Sequence, residues 1–394
     1  MMNSDEIKRA IVNNGSPVNI IIGENGSGKS ILLKELSFEL LSKGSVIAVS
    51  TSIHDKFLNI KNEGYNYLGG KLGRNYASTV LKQAISDSAK KTNFKNIFKT
   101  LQYLKFDERV GIKIKIKRKL LKYVQHGQYH FFDDNGDLQD IEDDIMSKIS
   151  SYLSESYFSR KGVIWLDVEN STYKQTKMND IFDLLSDEKK LKKDGIISGV
   201  DIYLSRNNSS FKISQASSGE LSLLALMVFC GVNVKDNTYI LIDEPENSLH
   251  PKWQSEYISN LLNVIGYYEV KIIVATHSPI ILSSTKMKER AIIFKSENHC
   301  FEHINSESLN AEDIYYDFFQ LLTPQNRSLS NECVKLLNQY DSNKVTYEHV
   351  NNKINNYISH SKDNKQHSFL KGVMKLLEEI HKGKPRSNRD VHHG

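Results

Sequence analysis

The sequence predicts an α/β fold with a phosphate-binding loop, a mixed α/β insertion and a C-terminal helical appendage. The loop is predicted at residues 23–30, which read Gly, four residues, then Gly-Lys-Ser. The apolar residues 18–22 before it are typical of a buried strand, and residues 31–43 after it have leucines at helical spacing. A second apolar run, 239–244, ends in two carboxylates. Strand, glycine loop and helix therefore come in the order of a P-loop NTPase fold.

The residue types of the loop suit a nucleotide phosphate. Its glycines have no side chains, so backbone N–H groups can approach phosphate oxygens closely. The helix that follows points its positive end at the same anion. Lys29 is predicted to bridge the β- and γ-phosphates of ATP, and the Ser30 hydroxyl is predicted to ligate Mg²⁺. The predicted nucleotide-binding residues of the loop are Gly23, Asn25, Gly26, Ser27, Gly28, Lys29 and Ser30.

The composition sets the class of protein. The 394 residues, 39% of them hydrophobic and 25% charged, are enough for about two to three domains with sizeable cores. No run of 18 apolar residues is present, and residues 1–10 lack the apolar core of a signal peptide, so we expect a cytoplasmic chain without a membrane span. The three cysteines have neither metal-binding nor redox spacing. A net charge of +5 permits nucleic-acid binding without arguing for it.

The nucleotide domain is predicted to be interrupted by an insertion at 61–199. Residues 45–50 form a second buried strand before it. The polar segment 51–57 is expected near the nucleotide, because loops at strand ends line the ligand crevice of open α/β sheets. Helices are expected at 77–104, 141–157 and 174–195, and strands within 111–119, 162–168 and 196–213.

Residues 111–119 alternate almost throughout between an apolar position and a basic side chain, which predicts a half-buried strand with one basic face. One hypothesis is that this face contacts DNA or RNA phosphates. The alternative is an exposed strand whose lysines block edge-to-edge pairing. The basic face consists of Lys113, Lys115, Lys117 and Lys119.

The strand at 239–244 supplies the second half of the predicted nucleotide site. Asp243 is predicted to hold Mg²⁺ through water or through Ser30, and Glu244 to polarise the attacking water. A later buried strand at 270–275 is followed by His277, which can reach a γ-phosphate from that strand end. The alternative for His277 is a plain loop histidine.

A Ser-Gly turn opens an apolar helix just before that strand. Helix starts of this kind bind anions, and the same residues also make an ordinary helix cap, so both interpretations stay open. The residues concerned are Ser217, Ser218, Gly219 and Glu220.

In their order, these motifs resemble those of ABC-type ATPases, in the group with the structural-maintenance and Rad-fifty-like proteins and the overcoming-lysogenization-defect ATPases. The resemblance covers 16–60 and 200–300. It implies that 217–220 is the signature motif, that the Asp243-Glu244 pair is Walker B, that 248–251 resembles the D-loop, and that His277 is the switch histidine. It also implies a head-to-tail homodimer, or a higher even-numbered oligomer, with ATP held between the phosphate loop of one copy and the signature of the other.

The signature departs from the Ser-Gly-Gly-Gln of family transporters, because Ser218 replaces a glycine and Glu220 replaces the glutamine. This is similar to the non-transporter branch and argues against a transport role. The glutamine of the usual Q-loop is not identifiable. The insertion also lacks the long heptad arrays of a coiled-coil arm.

A narrower resemblance involves residues 50–57, 67–70 and 322–330. With the overall size, these resemble the ATPase subunits of bacterial anti-phage defence systems of the Septu type, some of which act with a retron. That resemblance implies a separately encoded HNH nuclease as the partner, which this chain regulates. The alternative function is that of a DNA-repair or chromosome-associated ATPase that clamps DNA directly.

The C-terminal part is predicted to be helical after a last sheet strand at 290–294. Helices are expected from Asn310 and over 330–338, 347–358 and 367–382. Members of the overcoming-lysogenization-defect group carry a nuclease domain with an Asp-x-Asp pair after the ATPase. No such pair follows residue 300, so measured against that resemblance no intrinsic nuclease is expected. The predicted domains are 1–60 with 200–300 for the nucleotide domain, 61–199 for the insertion, 301–382 for the helical region and 383–394 for a flexible tail.

Overall fold

The computed structural model describes residues 1–52, 55–69, 76–91, 94–118, 120–121, 130–132, 138–157, 162–167, 175–247, 249–266, 268–282, 291–304, 327–361 and 364–383. The chain divides into two compact units. The terminal unit consists of Met1–Lys29 and Thr276–Gly394, and the central unit consists of Ser30–Ala275. The division therefore falls directly after Lys29 and directly after Ala275.

The elements are numbered along the chain. The strands are β1 (Val18–Ile22), β2 (Ser45–Ser50), β3 (Tyr65–Leu68), β4 (Arg109–Ile116), β5 (His130–Phe132), β6 (Leu138–Asp140), β7 (Ile164–Asp167), β8 (Ile197–Arg206), β9 (Ser209–Lys212), β10 (Thr238–Asp243), β11 (Val270–Thr276), β12 (Ala291–Glu297) and β13 (Cys300–Ile304). The helices are α1 (Ser4–Asn13), α2 (Lys29–Leu41), α3 (Tyr76–Lys91), α4 (Lys95–Tyr103), α5 (Asp143–Tyr157), α6 (Gln175–Ser186), α7 (Glu188–Lys193), α8 (Ser218–Asn233), α9 (Pro251–Ile265), α10 (Pro279–Leu282), α11 (Arg327–Asp341), α12 (Tyr347–His360) and α13 (Asn364–Gly383).

Parallel strands form the main sheet of the central unit, in the order β11-β10-β2-β3. Every residue of β2 is buried, and so is nearly all of β10. Parallel strands of this kind are covered on both faces, so their sequences are continuous apolar runs rather than alternating ones. In register, Ser50 at the end of β2 lies beside Asp243 at the end of β10. The polar residues that follow these strands therefore meet at one edge of the sheet.

An antiparallel sheet in the order β7-β4-β8-β9 carries the basic strand of the central unit. Ile112 and Ile114 of β4 are buried, while Lys113 and Lys115 on the opposite face are more exposed. The predicted alternation is therefore confirmed. The interpretation of β4 as a strand that resists edge pairing is wrong, because β7 and β8 occupy both of its sides.

The central unit also contains the helices α3 to α9. The helices expected at 77–104 are found as α3 and α4, the one at 141–157 as α5, and those at 174–195 as α6 and α7. The helix α8 is apolar almost all round, and the run 223–228 is entirely buried. A helix without a polar face belongs inside a core.

In the terminal unit the strands run in the order β13-β12-β1, with β1 parallel to β12 and β13 antiparallel to β12. Residues 290–294 are therefore not the last sheet strand, because β13 follows them across a tight turn. The helix α1 was not expected either. Its start is a capping box, in which Asn3 accepts from Glu6 N–H and Glu6 accepts from Asn3 N–H.

The helices α11, α12 and α13 of the terminal unit pack around a cluster of their own. Val350, Ile354 and Leu370 are fully buried there, and Tyr340 and Tyr357 are nearly so. The helices expected at 330–338, 347–358 and 367–382 are thereby confirmed. The helix expected from Asn310 and the tail from 384 onward lie outside the described residues.

The predicted α/β fold with a phosphate loop is confirmed, since β1, the glycine loop and α2 follow one another as expected. The domain boundaries at 60, 200 and 300 stay predictions. Among the residues that the structure describes, no helix is both long and apolar enough to span a membrane.

Candidate functional site

The phosphate loop lies in the terminal unit, between the end of β1 and Lys29. Gly26 and Gly28 have φ of 84° and 100°, in the left-handed region that glycine adopts without strain. Lys29 is only 4% exposed, and its Nζ donates to the carbonyls of Gly23 at 2.8 Å and Glu24 at 2.7 Å. The ammonium group is therefore folded back over the loop, where it faces the ring of backbone groups. Asn25 lies exposed at the tip, and Ser27 is buried.

The turn between β12 and β13 packs against this loop. Ser296 Oγ donates to the Ser27 carbonyl at 2.8 Å, and His299 N–H donates to the same oxygen at 3.1 Å. A Cβ on Gly28 would lie 2.6 Å from His299 Nδ1, and one on Gly23 would overlap the Ser296 carbonyl oxygen. Backbone atoms therefore leave no room for a side chain at Gly23, while a side chain at Gly28 would displace the exposed His299 ring and be held at positive φ. The sequence motifs do not predict that the β12–β13 turn packs against the phosphate loop. The polar residues 297–299 before an alternating strand do indicate that a turn is present there.

His277 also belongs to the terminal unit. It follows β11, and the carbonyl of the preceding Thr276 accepts a hydrogen bond from Gly23 N–H at 3.4 Å. Thr276 Oγ1 accepts from Ser278 N–H at 2.9 Å, which closes a tight turn around the histidine. The structure therefore places His277 next to the residue bonded to the first glycine of the loop.

In the central unit, Ser30 and Asp243 are brought together. Ser30 Oγ in the first turn of α2 donates to Asp243 Oδ1 at the end of β10, at 3.0 Å, and Asp243 is 2% exposed. A hydroxyl and a carboxylate at this separation fit Mg²⁺, which uses one or two protein oxygens beside substrate phosphates rather than a full protein cage. The described residues hold no cluster of three or more His, Cys, Asp or Glu that would suit another metal.

Glu244 adopts an unusual backbone conformation for a residue that is not glycine. Its φ is 52°, which costs about 1–2 kcal/mol relative to the right-handed region. Its N–H donates to the Ala275 carbonyl at 2.9 Å, so it still bonds to the neighbouring strand β11. Its Oε2 accepts from Asn247 Nδ2 at 3.1 Å. The carboxylate is half-buried at the carboxyl edge of the parallel sheet.

Ser217 is the N-cap of α8, with a complete capping box. Glu220 N–H donates to Ser217 Oγ at 3.3 Å, and Ser217 N–H and Oγ donate to Glu220 Oε2 at 2.9 Å. Arg206 at the end of β8 holds the other carboxylate oxygen at 2.5 Å and lies over the Phe106 ring. Burial disfavours the charged form of Glu220, but the hydrogen bonds from Arg206 and Ser217 outweigh it and lower the pKa of this carboxyl.

These contacts confirm the predicted helix cap. They leave Ser217 and Ser218 exposed at the end of the helix, and Gly219 buried beneath them. The role of the four residues toward a nucleotide stays a prediction. In the D-loop segment, His250 caps α9 and Leu249 is buried, while Ser248 lies outside the described residues.

The basic face of β4 is partly neutralised. Lys115 Nζ pairs with Asp201 Oδ1 at 3.0 Å, and Lys212 Nζ pairs with the other oxygen of the same carboxylate at 2.8 Å. Lys113 is half-exposed, and so is Lys117, which lies beyond the end of β4 at Ile116 and after a shift of register between Lys115 and Ile116. Lys119 lies outside the described residues.

Comparison with known proteins gives similarities over parts of the chain. Residues 150–283 match a family described as "AAA domain, putative AbiEii toxin, Type IV TA system". The chain is 31% identical over 105 residues to "Retron Vc95 probable ATPase" of Vibrio cholerae serotype O1 biovar El Tor, a match over 24% of this chain and 20% of that protein. It is 35% identical over 91 residues to "Retron Ec83 probable ATPase" of Escherichia coli, over 20% of this chain and 16% of that protein.

A third relative is "Septu protein PtuA" of Bacillus mycoides (strain KBAB4), 27% identical over 139 residues, or 34% of this chain and 19% of that protein. The matched segments thus span no more than a fifth of the curated relatives' own length. The predicted resemblance to an ABC- or AAA-type ATPase of anti-phage defence systems is confirmed by these matches.

Two solved structures are also similar. One is a putative metal-chelate type ABC transporter, at 12% identity and a TM-score of 0.32, with 78% of this chain and 81% of that chain covered. The other is the Smc head domain from Pyrococcus furiosus, at 11% identity and a TM-score of 0.22, with 64% and 61% covered. Scores of this size do not define a fold, so the assignment rests on the strands and the loop described above.

Proposed function

We propose that this protein binds ATP with Mg²⁺ and hydrolyses it in the manner of ABC-type ATPases. The observation that carries the proposal is the 3.0 Å hydrogen bond between Ser30 Oγ and Asp243 Oδ1. It joins the helix that follows the phosphate loop to the carboxyl end of β10. Ser30 and Asp243 would hold Mg²⁺, which when bound neutralises charge on the phosphate oxygens.

The remaining roles follow from the chemistry of this chain's residues. The backbone N–H groups of 23–30 and the Lys29 ammonium bind the phosphates electrostatically. Glu244 accepts the proton of the attacking water. His277 acts as a sensor of the γ-phosphate, a role that its turn next to the Gly23 bond supports.

Replacing Glu244 by Gln tests the hydrolytic assignment. The variant is expected to bind ATP like the wild type and to turn it over roughly 10²–10⁴-fold more slowly, because a positioned base contributes about that factor. Lys29→Ala should abolish ATP binding itself. Glu256→Gln, on α9, is the matched control and should leave both quantities unchanged. Wild-type turnover in the Glu244→Gln variant would remove Glu244 from this role.

We also propose that ATP closes two copies head to tail, so that Ser217 and Gly219 of one copy complete the site of the other. The exposed cap at Ser217 and Ser218 supports this, because it can approach a second molecule. In the Glu244→Gln background, ATP should double the mass measured by light scattering. Ser218→Arg should keep ATP binding and block the doubling, while Ser154→Arg, on an exposed face of α5, should not. A monomer with ATP in the Glu244→Gln protein would contradict the dimer.

The third proposal concerns the partner, a separate nuclease of HNH type in anti-phage defence, with this chain as its regulator. The names of the relatives, retron ATPases and a Septu protein, support it. The test is a pull-down from native cells, with the complex mass measured with and without ATP. A stoichiometric nuclease would support the proposal. A chain recovered alone, or with DNA that nuclease treatment releases, would oppose it.

The second candidate function is a DNA clamp. It is favoured by Lys113 in β4 and by Lys117 directly after the end of that strand, both of which are half-exposed. If these lysines bind phosphates, Lys113→Glu with Lys117→Glu should weaken DNA binding and reduce its dependence on salt by about one unit of slope for each phosphate that is no longer neutralised. Lys193→Glu, on α7, is the control for a change of surface charge elsewhere. An unchanged salt dependence would exclude these lysines from DNA binding.

A further inference from the structure

Glu244 is held by four hydrogen bonds, two from Asn247 in its own turn and two from the strand segments beside it. Asn247, three residues along, donates to the carboxylate at 3.1 Å. The N–H of Glu244 donates to Ala275 of β11 at 2.9 Å. The carbonyl of Glu244 accepts from Asn247 N–H at 3.2 Å and also from Thr51 Oγ1, a residue 193 positions earlier in the chain. The bonds with Ala275 and Thr51 thus join Glu244 to β11 and to the segment that follows β2, on either side of β10.

Thr51 is the first residue after β2, and the register of the sheet explains its reach. Ser50 lies beside Asp243, and Thr51 N–H donates to the Asp243 carbonyl at 3.3 Å. The backbone of Thr51 therefore continues the parallel ladder past the end of the strand. From that position, its hydroxyl extends to the next carbonyl along, that of Glu244.

Hydrogen bonds of Asp55 hold the segment that follows Thr51. Asp55 Oδ1 accepts from Phe57 N–H at 2.8 Å, and Asp55 Oδ2 accepts from the Tyr67 hydroxyl of β3. Phe57 is 7% exposed. Thr51 thus belongs to a segment joined both to β10 and, through Asp55, to β3.

We propose that Thr51 is a positioning residue for hydrolysis, an inference that rests on the proposed role of Glu244. A residue other than glycine at φ 52° relaxes toward negative φ unless its neighbours hold it, and before Pro245 the favoured negative-φ region is the extended one. Asn247 holds both the carboxylate and the carbonyl from within the turn, and the Thr51 hydroxyl holds the carbonyl from outside it. Relaxation would turn the side chain away from its present direction. A general base must lie within hydrogen-bond reach of its proton, so displacement lowers the rate of the chemical step.

The inference predicts a separation of kcat from ATP binding. Thr51→Val keeps the shape of the side chain and removes the hydroxyl. It should lower kcat roughly 10- to 100-fold and leave the Kd and KM for ATP within about twofold. Thr51→Ser, which keeps the hydroxyl, should restore most of kcat. Should the valine variant not accumulate, Thr51→Ala is compared with Thr51→Ser in the same way.

The matched control is Thr238→Val, at the opposite end of β10. Thr238 is buried, and its hydroxyl donates to the Lys235 carbonyl at 2.6 Å, so the variant also loses a threonine-to-carbonyl bond. It should lower the melting temperature without changing kcat. If Thr51→Val instead weakens ATP binding and kcat together, or if Thr51→Ser fails to rescue, Thr51 is structural and the inference is wrong.

Glu244→Gln separates this inference from the proposed function. If Glu244→Gln is inactive while Thr51→Val has the wild-type kcat, the positioning role fails and the ATPase proposal stands. If Glu244→Gln turns over normally, the role of Glu244 fails first. If Glu244 is the general base and Thr51 positions it, the combined Thr51→Val and Glu244→Gln variant should be no slower than Glu244→Gln alone. The reason is that Thr51 acts only through Glu244.

Discussion

Alanine at position 28 tests how closely the β12–β13 turn packs against the phosphate loop. Gly28 has φ of 100°, and its added Cβ would lie 2.6 Å from His299 Nδ1. Gly26, two residues earlier, has φ of 84° and no heavy atom within 4 Å of the same added atom. The two substitutions therefore share a backbone cost and differ in one steric contact.

The sizes of the two effects can be estimated. An alanine held at positive φ costs about 1–2 kcal/mol of folding free energy, and this applies to both variants. The contact with His299 adds a second cost in Gly28→Ala. His299 is exposed, so its ring can turn aside, which costs about 0.5–1.5 kcal/mol if the side chain leaves its rotamer. Gly28→Ala should thus be less stable than Gly26→Ala by about 1 kcal/mol.

Urea unfolding measures the free energy of unfolding of each variant, and a fluorescent ATP analogue measures its nucleotide binding. Combining Gly28→Ala with His299→Ala should recover the steric part and leave the backbone part, in a double-mutant cycle. Gly266→Ala, with φ of 79° and open space around it, is a control for backbone cost away from the loop. Equal stabilities of Gly26→Ala and Gly28→Ala, or no coupling to His299, would refute the packing argument.

Two further predictions concern titratable groups. At pH 8 a thiol reagent should label Cys300, which is exposed, before Cys230 and Cys333, since burial raises the pKa of their thiols to about 12 and about 11. Mass spectrometry of short labelling reactions checks the order, and early labelling of Cys230 would contradict it. Glu220 has a lowered folded pKa, so its contribution to stability is present above its ordinary value of 4.5 and is lost as the pH falls below it. Glu220→Gln should therefore lose less stability than the wild type between pH 6 and about pH 3.5, as measured by thermal melts. Parallel curves of melting temperature against pH for the two proteins would argue against the Arg206 contact.

Sequence patterns predict those parts of the candidate site that consecutive residues form. The loop at 23–30 and the carboxylates at 243 and 244 could be recognised because a strand, a turn and a helix start each leave a local pattern. The capping box of α1 is an equally local pattern, formed by Asn3 and Glu6, and it indicates a helix start. The strand β13 was missed because its five residues follow a turn of Asn298 and His299, both at positive φ without glycine.

The neighbours of an element could not be predicted in the same way. The alternation of β4 was correct, but its position between β7 and β8 depends on residues about 50 to 90 positions later in the chain. The sequence of β4 is compatible with an edge or a central position, since both need one apolar face. The ion pair of Lys115 with Asp201 has the same origin, because Asp201 lies on β8.

The geometry of Glu244 shows the same limit at the centre of the site. Its motif predicts a carboxylate at the end of a strand, but nothing in the Asp-Glu-Pro sequence indicates a φ of 52°. Besides the Asn247 N–H bond within its own turn, that conformation is held by one bond from each neighbouring strand segment, Thr51 after β2 and Ala275 in β11. An edge strand has only one such neighbour, so the same motif there would lack one of the two anchors. The orientation of the proposed base is therefore a property of the order β11-β10-β2, and the residue to vary in order to test it lies outside the motif.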